Sequence, residues 1–124
     1  ETVDRFLRHI GVDEAYLTGG HSVFTVESHL NFVGQARGGD HLYATVQLLS
    51  HDAKRMRLFT AMHRGEDNSL VATAEHMLLH VDTVADKACP AAAHIVAALD
   101  ALATHHSALP IPANAGRAVG QPRG

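Results

Sequence analysis

The chain has 124 residues, a formal net charge of -3 and a pI near 6.4, with 46% apolar and 19% charged residues. That length suits one domain with a modest core; the composition excludes wholesale disorder, and the charge excludes a global pull toward nucleic acid or an anionic membrane. Cys89 is the single cysteine, so no intrachain disulfide can form, and with no apolar run near the ~20 residues of a membrane span a cytoplasmic setting is expected.

Val3, Phe6, Leu7 and Ile10 fall at i, i+3, i+4 and i+7, the spacing of one helical face. Gly11 stands where a C-terminal cap belongs, and residues 13–17 offer a further turn before Gly19-Gly20 breaks the chain. Residues 21–33 then read as extended. Phe24, Val26, Leu30 and Phe32 alternate with Thr25, Glu27, His29 and Asn31, so a period of two predicts one apolar and one polar strand face. Gly38-Gly39-Asp40 signals a turn, and 41–50, 55–64 and 69–83 read as three more strands joined by short polar connections. Short turns between successive strands make an antiparallel meander the simplest topology.

Past Cys89-Pro90 the helical period returns, with Ile95, Val96, Leu99 and Leu102 in one stripe on an alanine-rich helix ending near His105. Pro110, Pro112, Gly116, Gly120 and Pro122 mark the remainder as a flexible tail, giving a domain over 1–106 and a tail over 107–124. The class is α+β: helices with a curved antiparallel sheet. Four strands leave two edges and a partly bare face, which a second subunit would cover, so a homodimer or homotetramer is expected.

Several segments carry a family resemblance: Val26-Glu27-Ser28-His29, Gly39-Asp40, Asp52-Ala53-Lys54-Arg55, Ala72-Thr73-Ala74-Glu75 and His80-Val81-Asp82, in that order. Together they resemble the hot-dog acyl-CoA thioesterases of the 4-hydroxybenzoyl-CoA thioesterase type, and more narrowly the thioesterases linked to carnitine breakdown, some of them fused to a dehydrogenase. The resemblance covers about Glu1 to Leu102. It implies a helix wrapped by a curved sheet, dimers with a joined sheet, active sites at the subunit interface and a coenzyme A thioester as substrate. In the carnitine-linked subgroup the acyl group would be betainyl, with a trimethylammonium cation. Such proteins carry a strand and a loop before the central helix, and that loop often supplies the catalytic carboxylate. Because Glu1 already falls within helical spacing, this segment is expected upstream.

Thioester hydrolysis needs a water activated by a carboxylate or imidazole, or a carboxylate nucleophile, with donors for the oxyanion. Glu27 and His29 lie two apart on one strand, so they share a face and are the leading catalytic candidates; the plain alternative is a solvent-facing polar strand. His80 and Asp82 repeat that geometry, with His76 beside them, and Asp82 could fix the tautomer of His80, although a structural pair at a strand end is the favoured reading. Glu75 points the other way, toward the helix on this reading. Arg37, Lys54 and Arg55, with Arg57, stand near turns and strand ends, where they could hold the phosphates of coenzyme A or merely guard an edge. Tyr16, Tyr43, Phe24 and Glu27 are of the types that would face a quaternary ammonium. The 11 histidines invite a metal, but no HxH, HExxH or CxxC spacing occurs, so neither metal nor cofactor is expected. No GxSxG supports a serine nucleophile. The competing readings are a hot-dog hydratase or dehydratase acting on an acyl thioester, and a non-catalytic acyl-CoA-binding module.

Overall fold

The computed structural model describes residues 2–35, 39, 41–106, 109, 110, 112 and 115. In chain order these form α1 (Thr2–His9), α2 (Glu14–Thr18), β1 (His21–Phe32), β2 (Leu42–His51), β3 (Arg55–Arg64), β4 (Leu70–Asp82), β5 (Lys87–Ala88) and α3 (Ala93–His106). The four long strands pair antiparallel in the order β1-β4-β3-β2, and β5 adds to the end of β4.

A simple meander is therefore corrected: β2, β3 and β4 follow one another, but β1 lies against β4 rather than β2. Two tight turns fix the meander half. Asp52 Oδ1 accepts the backbone N–H groups of Lys54 and Arg55, and Asp67 Oδ1 accepts that of Ser69. The connection from β1 to β2 spans residues 33–41, which reach roughly 30 Å when extended. Three strand spacings cover only about 14 Å, so that connection can carry the chain from one edge of the sheet to the other.

A single residue decides which way β1 presents its side chains. The pairing with β4 runs Phe24 to Leu79 and Thr25 to Leu78, then resumes with Glu27 opposite Met77, so Val26 is an inserted bulge residue. The expected apolar face is thereby split. Phe24 faces away from the helices, whereas Leu30 and Phe32 share the helix side with Ala74 and Ala72.

Both α1 and α3 cover that helix side. Phe6 and Ile10 of α1, Ile95 and Leu99 of α3, and Leu48, Met56, Leu58 and Leu78 of the sheet form one buried cluster, with Val3, Leu7 and Leu102 packed at its margin. The two predicted helical stripes are thus the ones that bury. Gly11 ends α1 at φ +109°, and a Cβ there would stand 2.9 Å from the His94 ring, so glycine both turns the chain and lets it pass close to α3. Asp13 caps α2 by accepting the Tyr16 N–H at 3.0 Å. The expected tail falls mostly outside the described residues.

Candidate functional site

Three groups of polar side chains stand on this scaffold. The first is on the open side of the sheet, away from α1 and α3. Glu27, Met77, Arg57 and Ser50 form one row across the strands, and His29, Glu75, Phe59 and Gln47 form the next. The expected pair Glu27 and His29 do share a face. Glu75 is a correction: it lies on this open side, opposite His29, and accepts a hydrogen bond from Arg57 Nη2 at 3.0 Å. Residues 74, 76 and 78 of β4 take the helix side, and alternation leaves Glu75 no other choice.

Arg55 and Arg57 line a shallow hollow of about 230 Å³ on this side together with Ser50, Asp52 and Met77. Lys54 is exposed in the adjoining turn, where the backbone N–H groups of Lys54 and then Arg55 hold the Asp52 carboxyl below its usual range. The structure thus brings Arg55 and Arg57 to the face that carries Glu27 and His29. Arg37 lies outside the described residues. Among the expected cation-binding types only Phe24 stays near Glu27. Tyr43 stacks on His63 at 5.1 Å and donates to Asn68, while Tyr16 is on the other side of the sheet.

The second group is buried at the sheet end. His80 is 1% exposed; its Nδ1 lies 2.9 Å from the Cys89 carbonyl, and its Nε2 lies 2.6 Å from Tyr16 Oη. The carbonyl can only accept, so Nδ1 carries the proton and the Tyr16 hydroxyl donates to Nε2. Tyr16 Oη in turn accepts the Ala92 N–H at 3.1 Å, which ties α2, β4 and the start of α3 together. Desolvation first, opposed by the Cys89 carbonyl, lowers the His80 pKa below that of a free imidazole. Asp82 does not orient His80: its carboxylate instead accepts the N–H groups of Val84 and Ala85 in the following turn. Every bond of this histidine is to the fold, and it has the marks of a structural group.

The third group escaped sequence reading. On the helix side of the sheet, beside Thr2 and Val3 of α1, the described residues border a groove of about 280 Å³. Leu30, Phe32, Ala44, Met62 and Ala74 wall it, and His76 is the one titratable side chain among the described residues of its lining. His76 Nδ1 is 2.9 Å from Ser28 Oγ. Desolvation lowers the His76 pKa, which favours the neutral ring near neutral pH. Ser28 sits between the two residues the sequence singled out, and directly opposite His76 in the pairing of β1 with β4. The available signal was a hydroxyl residue and a histidine on two strands, and only their pairing shows that they meet. Among the described residues no three His, Cys, Asp or Glu side chains gather as a metal centre would require.

A profile of the thioesterase-like superfamily matches residues 1–99. The chain belongs to the thioesterase-like superfamily. This thioesterase-like chain is 48% identical, over 123 residues, to an L-carnitine dehydrogenase/betainyl-CoA thioesterase of Rhizobium meliloti (strain 1021). The match takes in 99% of the chain but only a quarter (25%) of that relative's length. A betainyl-CoA thioesterase of Pseudomonas aeruginosa is 38% identical over 120 residues, 96% of this chain and 76% of that protein. Among solved structures, a Staphylococcus aureus protein in complex with CoA superposes with a TM-score of 0.89 at 21% identity, covering 97% of this chain and 76% of that one. A 1,4-dihydroxy-2-naphthoyl-CoA thioesterase from Synechocystis gives a TM-score of 0.71 at 18% identity, over 80% and 74% of the two chains. At those identities the likeness establishes the hot-dog fold: a curved antiparallel sheet packed on helices, as the sequence resemblance implied.

Proposed function

We propose that this chain hydrolyses the thioester bond of a short, polar acyl-CoA, with betainyl-CoA as the leading substrate. The observation that carries this reading is the 38% identity to a betainyl-CoA thioesterase over nearly the whole chain. The groove agrees with it in size. At about 280 Å³ it lies just below the usual range of ligand pockets, about 300 to 1,000 Å³, and suits a compact acyl group better than a fatty chain.

Two pairs of side chains, on opposite faces of β1, are placed to supply a base. Glu27 and His29 hold the open face, where a carboxylate beside an imidazole can activate water. Ser28 and His76 hold the groove. For the nucleotide end of the substrate, Lys54 and Arg55 are the proposed phosphate contacts, with Arg57 beside them. Because Lys54 and Arg55 are exposed, their contribution should raise affinity at low salt and fade as salt is added.

The working state we propose is a homodimer or homotetramer. Among the described strands β1 pairs only with β4, so its outer edge is open to a second chain. The β2 edge is partly guarded by α3, since His51 Nε2 meets Asp100 Oδ1 at 2.8 Å and the Leu48 N–H donates to His106 Nδ1. A cytoplasmic setting fits a CoA substrate and a lone thiol. Among the described residues no helix is long and apolar enough to cross a membrane.

Free-thiol release from a panel of acyl-CoAs tests the reading. Hydrolysis of betainyl-CoA in preference to acetyl-CoA and long-chain acyl-CoAs is the expected result. Tight binding of the panel with no thiol release would leave an acyl-CoA-binding module instead, and water addition to an enoyl-CoA would mark a hydratase.

A further inference from the structure

We propose that the groove beside α1 takes the acyl end of the thioester, and that His76, oriented by Ser28, is the general base for the attacking water. This rests on the thioesterase reading and adds the place and the groups. Three observations converge on it. The groove is walled by Leu30, Phe32, Met62 and alanines, an apolar lining against which an acyl group can pack. Among the described residues His76 is the one titratable side chain in that lining, and its ring meets the Ser28 hydroxyl at 2.9 Å. Glu27 lies on the opposite face of β1, outside this groove.

The pairing with Ser28 defines how the ring works. When Ser28 Oγ accepts the Nδ1 proton, the Nε2 lone pair is free to take a proton from water. The water oxygen then forms a bond to the carbonyl carbon while its proton passes to Nε2. The tetrahedral intermediate collapses by breaking the C–S bond, and the departing sulfur takes the proton back from the imidazolium. Carboxylic acid and CoA thiol leave, and the imidazole is neutral again. Phe32 suits the substrate proposed above, because the face of an aromatic ring attracts a quaternary ammonium.

The side chains that face His76 leave its titration legible. Across the strands stand Ser28 and Leu58, α1 brings Thr2 and Val3 to the groove, and none of these carries a charge. The neutral ring is the active form, so the rate should fall as pH drops through the His76 pKa, which lies below the ordinary imidazole value of 6.5.

The test is betainyl-CoA hydrolysis by wild type, His76→Gln, Ser28→Ala, Ser28→Thr and Glu27→Gln, with binding of a thioether analogue followed by calorimetry. His76→Gln should lose about 100-fold or more in kcat and keep analogue affinity within about threefold, which also certifies that it is folded. Ser28→Ala should lose less, roughly tenfold, and displace the acid limb of the pH profile; Ser28→Thr should restore both. A His76→Gln enzyme within threefold of wild type, with the loss falling on Glu27→Gln, overturns the assignment and leaves thioesterase function standing. No thiol release from wild type overturns both.

Discussion

The two sides of the sheet differ in what their polar groups are committed to. On the helix side His80 is buried and spends both ring nitrogens on the fold, and His76 stands in an apolar groove against the Ser28 hydroxyl. On the open side Arg57 and Glu75 pair at 3.0 Å with their side chains 35% and 19% exposed, and Glu27 is exposed too. The contrast teaches that polar residues on one strand acquire different physics from the side they face. Solvent screens a charge on the open side, whereas desolvation shifts protonation on the other. Glu27 and Ser28 are chain neighbours, yet they belong to these two different settings.

Stability measurements should show the asymmetry. The largest effect is expected from His80→Ala, which strands the Tyr16 hydroxyl and opens a hole in a filled site; a loss of about 3 kcal/mol is predicted in chemical denaturation. A loss below ~1 kcal/mol would mean that the network is dispensable. Acidification comes next. His76, His80 and His106 all have folded-state pKa values lowered by desolvation, below the 6.5 of a free imidazole. Their contribution is therefore complete above pH 6.5. It is lost as pH falls from there through the folded values, because the unfolded chain takes up protons that the native state refuses. The melting temperature should drop between pH 7.5 and 5.5, and a flat or rising curve would contradict the burial of these rings.

Smaller effects sharpen the same comparison. Phe32→Ala should raise KM for betainyl-CoA about fivefold while changing KM for a neutral acyl-CoA of similar size less, since a ring face and a cation are worth ~1 kcal/mol when partly exposed. Equal changes for both substrates would deny the ring its role. Arg57→Ala on the open side should cost ~0.5 kcal/mol and cost less still in high salt. A loss several times larger, insensitive to salt, would show that the open face is covered in the working assembly.

Much of the architecture was legible because it follows from local periodicity. Val3, Phe6, Leu7 and Ile10 repeat at helical spacing and pack at or beside the core, as do Ile95 and Leu99, and all four long strands lie where β-branched and aromatic runs predict them. What the sequence hid is non-local or depends on one residue. Nothing in residues 21–33 announces that their partner is β4, far along the chain, instead of the next strand. Val26 looks like another alternating apolar position, yet as a bulge it sends Phe24 to one side and Leu30 to the other. Tyr16 and His80, 64 residues apart, could be joined only by the fold, and the same holds for Ser28 and His76, 48 apart. Of the expected site residues, Glu27, His29 and Arg55 do share one face, with Lys54 in the turn beside them. Pairing of strands, not spacing along the chain, reveals the groove behind them.

The most direct test is a crystal structure of the protein with a non-hydrolysable thioether analogue of betainyl-CoA. The acyl end is expected in the groove, with the trimethylammonium against Phe32 and the carbonyl-equivalent atom within reach of His76. An acyl end lying on the open face beside Glu27 and His29 would contradict it and return the chemistry to the side that the sequence first suggested.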